Sequence, residues 1–214
     1  MANIDYIKLY NLQDDIMDII FNIQDIFYLT GGTCLCRFHK EKRYSDDLDF
    51  FTNENKQFSK VIRIIKIALN EKFEVNEEII SRDFVRLIIN NFLQIDFVND
   101  RVMRYKDVIY MENGYCIDNY ENILANKLTA IMSRDNPKDI FDIYLINKYY
   151  TFNWAEIVNI AHQKADFKND DLIIRLKSFP IKLLNQINLI DVHFLDNFEI
   201  EYYNIIDEME LIID

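Results

Sequence analysis

The 214-residue chain predicts an α+β fold. Strand-like segments crowd its first half and helix-like segments its second, so like elements are grouped rather than alternated. Half of the residues are apolar, enough to bury a substantial core in one large domain or a core with an appended lobe. Prolines stand only at 137 and 180 and glycines only at 31, 32 and 114, with no Ser/Gly-rich linker, repeat or low-complexity tract, so the chain is compact throughout.

The elements follow in order. Ile16, Ile19, Ile20 and Ile23 recur at helical spacing within 11–24. Phe27-Tyr28-Leu29 is then a short strand ended by Gly31-Gly32, and Thr33 to about Lys40 is a helix. DLDFF at 47–51 alternates, so Leu48 and Phe50 face a core while Asp47 and Asp49 share the other face. Val61, Ile64, Ile65 and Ala68 make 56–69 an amphipathic helix. Strands follow at roughly 73–79, 83–90 and 92–98, with Asn90-Asn91 as a tight turn between the last two. Beyond the ENGY turn at Gly114 strand signals fade, and helices are expected at 119–133, 137–149, about 153–165 and 170–178, before a C-terminal stretch without a clear pattern. The division is a sheet domain, 1–118, and a helical C-terminal region, 119–214.

The formal charge is −12; residues 1–150 hold 19 basic against 24 acidic side chains, and 151–214 hold 5 against 12. This balance argues against general electrostatic binding of nucleic acid, which needs many Lys and Arg contacts to phosphates, and leaves room only for a local basic patch. The first residues carry acids where a signal peptide carries lysines, and no apolar run approaches membrane-spanning length, so a soluble cytoplasmic protein is expected. Cys34, Cys36 and Cys116 form no CxxC pair and read as buried, reduced thiols. His39, His162 and His193 show no metal spacing.

Chemistry gathers at a few positions. A strand ending in Gly31-Gly32 and feeding a helix lets a ligand approach the backbone, and the free N–H groups at the helix start favour an anion such as a polyphosphate. It is neither a P-loop nor a dinucleotide fingerprint. Asp47 and Asp49, two residues apart on a strand, can offer oxygens to one hard cation, although taken alone the pair is more simply a solvated strand end. Asp96 sits inside LQIDFV, an apolar strand where an unpaired charge is costly, so something must compensate it. With Leu93, Ile95 and Phe97 facing the core, Asp96 lies on the face that Asp47 and Asp49 can share from a neighbouring strand. Three such carboxylates around paired Mg²⁺ ions suit in-line nucleotidyl transfer.

The run Gly31-Gly32-Thr33, thirteen residues, then Asp47-Leu48-Asp49-Phe50 resembles the minimal signature of polymerase β-like nucleotidyltransferases. LTGGTCLCRF and RYSDDLDFF together with KLTAIMSRDNPKDIFDIYLI at 127–146 resemble more narrowly the AbiEii/AbiGii-type nucleotidyltransferase toxins of bacterial toxin–antitoxin and phage-defence systems, over roughly residues 26–150. The resemblance implies the minimal nucleotidyltransferase fold, a small mixed sheet flanked by helices with a helical C-terminal half. It also implies transfer of a nucleoside monophosphate from an NTP to a hydroxyl acceptor, two Mg²⁺ ions with NTP bound, a cognate antitoxin, and the 3′ end of tRNA as an acceptor known within the family.

Gly31, Gly32 and Thr33 are then expected to hold phosphates, and Asp47, Asp49 and Asp96 the metal. The Lys and the Asp pair of the KDxxD run belong to the family's active site, which assigns Lys127, Asp139 and Asp142 to catalysis, with Arg134 as a further phosphate contact. On residues alone, Lys127 also reads as a helix-surface salt bridge and Asp139 as a dipole cap. Replacing Asp47 or Asp96 by Asn is expected to abolish transfer and leave thermal stability level or higher, through relief of repulsion. The acidic surface fits a tRNA acceptor poorly; a protein or a small molecule such as an aminoglycoside fits the charge. A non-catalytic nucleotide- or partner-binding module and a purely structural α+β protein are the rival readings.

Overall fold

A computed structural model describes residues 4–213, so the first three residues of the segment read for a leader lie outside it. The chain forms two compact units, one built from the residues up to Cys34 with Ser45–Asp118, the other from Leu35–Tyr44 with the residues from Asn119 onward. The ten residues 35–44 therefore group with the helical half although they lie within 1–118.

The first unit opens with α1 (Tyr6–Ile23), whose cap residue Asp5 accepts the Lys8 N–H at 3.1 Å. It buries Leu9, Ile16, Met17 and Ile20. β1 (Tyr28–Thr30) runs directly into α2 (Gly31–Cys34), which continues into a π-helical turn, Leu35–His39, of the second unit. β2 (Asp47–Asn53), α3 (Phe58–Asn70), β3 (Val75–Ile80), β4 (Phe84–Ile89) and β5 (Leu93–Asp100) follow. Two short strands missing from the sequence reading, β6 (Ile109–Tyr110) and β7 (Cys116–Ile117), flank the Gly114 turn. Each is only two residues long, too short for an alternating pattern to be read.

Among the described residues seven strands make one mixed sheet in the order β3-β4-β5-β2-β1-β7-β6. β2 runs parallel to β5 and antiparallel to β1. β2 alternates as its sequence requires: Leu48 and Phe50 are fully buried, while Asp47 and Asp49 are half-buried on the other face. On the apolar face Phe50 stacks on Phe97 at 5.4 Å, and Phe27 meets Phe97 at 5.2 Å and Phe58 of α3 at 5.8 Å. The Phe27–Phe58 pair ties α3 to the start of β1.

Asn90 and Asn91 both adopt positive φ, as their turn reading requires. The loop is nevertheless three residues, Asn90 to Phe92, because Ile89 pairs with Leu93. A two-residue loop would have paired Arg86 with Ile95; the extra residue pairs Arg86 with Asp96.

In the second unit α4 (Tyr120–Ile131), α5 (Pro137–Tyr149) and α6 (Trp154–Lys164) are capped by Asn119, Asn136 and Asn153 respectively. α7 (Asn169–Ser178), a 3₁₀ turn at Ile181–Gln186 and α8 (Phe198–Ile213) complete it. α5 is buried continuously from Asp139 to Ile146, which explains its weak amphipathicity. Residues 42–44 are stitched to 188–190: Tyr44 N–H donates to the Asn188 carbonyl at 2.9 Å and Ile190 N–H to the Lys42 carbonyl at 3.0 Å. Among the described residues no helix is long and apolar enough to cross a membrane.

Candidate active site

In the first unit the parallel register sets Asp47 opposite Gln94 and Asp49 opposite Asp96. Residues directly paired across strands share a sheet face, so Asp47, Asp49 and Asp96 lie on one face, away from the aromatic core. Among the described residues no group of three or more Asp, Glu, His or Cys is gathered closely enough to hold a metal ion. Asp96 is instead turned to Arg86, whose Nε donates to Oδ1 and whose Nη2 donates to Oδ2, both at 2.7 Å. Gln94 Nε2 adds a third donor to Oδ2 at 3.2 Å.

The compensation that an 8 % exposed carboxylate demands is therefore supplied by a guanidinium on the next strand. Arg86 in turn has its pKa raised, first by this hydrogen bonding and then by the charges of Asp96, Glu78 and Asp49, against a smaller opposing effect of burial. Arg86 had no assigned role in the sequence reading. The signal for it was a charge inside DFVRLIIN, whose partner depended on the length of the following loop. The same pair overturns the expectation that removing Asp96 relieves repulsion: Asp96 is in an ion pair, and its loss takes from Arg86 its nearest anion.

Gly31 has φ +70°, and a Cβ built on it would lie 3.1 Å from Cγ of Asp49 and closer still to Oδ2. The glycine is thus required by a neighbouring carboxylate as well as by backbone conformation. Gly32 and Thr33 are buried. The Thr33 hydroxyl donates to the Asp47 carbonyl, tying the start of α2 to the acidic strand. The Thr33 side chain is therefore engaged with β2, and only its backbone remains to meet a phosphate. Asp47 and Asp49 offer hard oxygen donors from one sheet face, the donor type that Mg²⁺ takes, but Asp96 is turned to Arg86 and the three carboxylates are not gathered into a metal-holding group.

The second unit holds the other predicted residues in a separate network. Lys127 Nζ lies 2.9 Å from Asp139 Oδ1 and 2.8 Å from Asp142 Oδ2. Arg134 grips Asp139 through Nε at 2.7 Å and Nη2 at 3.0 Å. Arg43, absent from the sequence-based candidates, grips Asp142 with Nε and Nη2, both at 2.9 Å. Asp139 and Asp142 are completely buried, and Arg43 is 1 % exposed.

Lys127 is therefore a buried member of an ion-pair network, which corrects the surface salt-bridge reading. Asp139 likewise holds Lys127 and Arg134 as well as standing in the first turn of α5. Burial opposes the charge on Lys127, but Asp142 and Asp139 outweigh it and raise its pKa. Burial would raise the Asp139 carboxyl, but Lys127 and Arg134 hold it below its ordinary value. Nearby, burial pushes the Cys36 thiol up to about 12, so it is inert as a nucleophile. All three cysteines are buried.

Residues 20–210 match the family model described as nucleotidyl transferase AbiEii toxin, type IV TA system. The chain belongs to the AbiEii nucleotidyltransferase toxin family. An uncharacterized protein of Aquifex aeolicus strain VF5, aq_aa25, is 26 % identical over 163 residues, covering 71 % of each chain. Among solved structures, JHP933 from Helicobacter pylori aligns with a TM-score of 0.58 at 20 % identity, over 98 % of this chain and 95 % of that one. MenT4, the nucleotidyltransferase toxin Rv2826c of Mycobacterium tuberculosis H37Rv, aligns with a TM-score of 0.60 at 14 % identity, over 94 % and 82 %. The AbiEii member described here is a nucleotidyltransferase with a mixed α+β fold, as its sequence signature implied.

Proposed function

We propose that this AbiEii-family enzyme is the toxin of a toxin–antitoxin pair and transfers a nucleoside monophosphate from an NTP to a hydroxyl acceptor in a Mg²⁺-dependent reaction. The observation that carries this reading is the register that pairs Asp49 with Asp96 on the sheet face shared by Asp47. Asp47, Asp49 and Asp96 would hold Mg²⁺, two ions being expected with NTP. Bound there, Mg²⁺ supplies charge neutralisation at the triphosphate and a more acidic acceptor hydroxyl.

The chain's own residues do the rest. Gly31, Gly32 and Thr33 offer backbone N–H groups to the phosphates. Asp96, held by Arg86 and Gln94, would help activate the acceptor hydroxyl and take up the proton it loses. The acceptor oxygen forms a bond to the α-phosphorus, the bond from that phosphorus to the bridging oxygen breaks, and pyrophosphate leaves with the electron pair. In the second unit Lys127 is neutralised by two carboxylates, so a phosphate would gain its charge only by displacing one of them. Lys127, Asp139 and Asp142 are the residues the family's KDxxD run assigns to catalysis, with Lys127 and Arg134 as the phosphate contacts, and their pairing with one another and with Arg43 would hold these side chains in order.

The 3′ end of tRNA is the proposed acceptor, with a cognate antitoxin as partner. The formal charge of −12 favours a second reading, in which the acceptor is a protein or a small molecule such as an antibiotic. Phage defence and a cytoplasmic location belong to the same proposal. The test is incubation with each α-labelled NTP, Mg²⁺ and total cellular RNA or whole lysate. Label sensitive to ribonuclease supports the tRNA acceptor, and label sensitive only to protease or found in small molecules supports the second reading. Nucleotide binding without any labelled product would make the chain a non-catalytic module.

A further inference from the structure

A cavity of about 600 Å³ opens in the first unit, at the sheet end where the parallel strands β2 and β5 finish. Its size is that of a small-molecule site, and the crevice beyond the carboxyl ends of parallel strands is where open α/β sheets take ligands. Three connections line it: Glu54 to Lys56 after β2, Arg82 and Asp83 between β3 and β4, and Arg101 after β5. Phe58 and Ser59 of α3 close it on the aromatic-core side, so it lies on the sheet face opposite Asp47, Asp49 and Asp96.

The walls are braced by their own hydrogen bonds. Asn99 accepts the Asn55 N–H on Oδ1 at 2.8 Å and donates from Nδ2 to Asp83 Oδ1 at 3.2 Å. Arg101 Nη2 donates to Asp83 Oδ2 at 2.9 Å, so these two charges neutralise each other. Lys56 and Arg82 are exposed, and their side chains make no hydrogen bond or ion pair among the described residues; the same holds for the Ser59 hydroxyl. In a chain of formal charge −12, a braced cavity thus presents two cations that no carboxylate engages.

From this geometry we propose that the cavity binds the phosphate ester of a sugar, as a free nucleotide or as one nucleotide of an RNA strand. Lys56 meets the phosphate as a point charge, Arg82 through paired N–H groups, and Ser59 adds a hydroxyl donor. Glu54 is the remaining acid of the lining. It repels a bare phosphate but accepts from sugar hydroxyls, which makes the ester the better ligand. The site does not depend on the role of Asp47, Asp49 or Asp96.

The test is calorimetric titration of the full chain in EDTA, with 5′-AMP, adenosine, inorganic phosphate and a short single-stranded oligoribonucleotide as probes. Saturable binding of 5′-AMP or of the oligonucleotide is expected, weakened about tenfold in Lys56→Ala and in Arg82→Ala, as for loss of one charged hydrogen bond. Adenosine and inorganic phosphate should each bind at least about tenfold more weakly than the ester. Binding of 5′-AMP identifies a free nucleotide as the source, and binding of the oligonucleotide alone identifies an RNA strand. Both replaced side chains are exposed and contact-free, so melting should be unchanged. Asp49→Asn should bind the ester as the unchanged chain does. Absence of saturable binding by either ester, or equal binding of adenosine or inorganic phosphate, overturns the proposal. So does binding that survives in both Lys56→Ala and Arg82→Ala; if that binding is lost in Asp49→Asn, the ligand sits at the acidic row instead.

Discussion

The carboxyl group of Asp49 occupies the space that a Cβ on Gly31 would need. Strand and turn are thereby made for each other, and the glycine pair is explained by what lies across from it. Gly31→Ala is expected to destabilise the protein by about 1–2 kcal/mol from its left-handed backbone alone, with a further cost from the collision. In Gly31→Ala/Asp49→Ala the collision with the carboxyl group is gone. Denaturant unfolding should therefore show the double variant less destabilised than the sum of the single ones, by about 1 kcal/mol or more. Strict additivity would mean that backbone conformation alone demands the glycine.

Asp142 is the shared anion of Arg43 and Lys127. Asp142→Ala leaves a nearly inaccessible guanidinium without its partner, and a loss of about 3–5 kcal/mol is expected. Arg43→Met removes a cation but leaves Asp142 paired with Lys127, so its cost should be smaller. Equilibrium denaturation of both variants checks the order.

The same network sets limits in acid and in base. Asp139 has a depressed pKa, so the stability it contributes is present above the unfolded carboxylate value and is lost as pH falls through its folded value. Lys127 has a raised pKa, so its contribution is present below the unfolded lysine value and is lost as pH rises through its folded value. Stability should be flat between about pH 5 and 9 as far as these two groups are concerned, falling outside that range. Asp139→Asn should flatten the acid limb and Lys127→Met the alkaline limb in denaturation measured across pH.

Asp96→Asn and Asp47→Asn should part company in stability. Asp96 is held by Arg86 and Gln94, and weakening a charged pair of this kind costs about 1–3 kcal/mol. Asp47 is half-buried at the start of its strand, and Asp47→Asn should lie within about 0.5 kcal/mol of the unchanged protein. Calorimetric melting of the two variants side by side decides this.

Strong periodicity made most of the fold legible. The alternation of DLDFF and the buried Ile16 and Ile20 of α1 stand where their spacing put them, while Ile23 is exposed; Asn90 and Asn91 lie in a turn that extends to Phe92, and Asp96 lies on the face inferred for it. What stayed hidden depended on pairing across distance. Arg86 meets Asp96 because one loop is three residues long rather than two, a difference that composition does not reveal and that reverses which side chains share a face. Arg43 meets Asp142 across 99 positions of sequence, and nothing local in RYSDD identifies its partner. Lys127 was legible as an important cation, but its burial was not, because α4 buries Lys127 together with the polar Glu121 and Asn122. The two-residue strands around Gly114 are held by pairing with β1 and each other rather than by their own pattern.

The most direct test of the acidic row as a nucleotidyl-transfer centre compares α-labelled with γ-labelled NTP in the presence of Mg²⁺ and cellular acceptors, for the unchanged enzyme and for Asp49→Asn. The expected result is label in the acceptor from the α position only, with pyrophosphate released, and none from either position with folded Asp49→Asn. Label from the γ position, or undiminished α-label with Asp49→Asn, would contradict it.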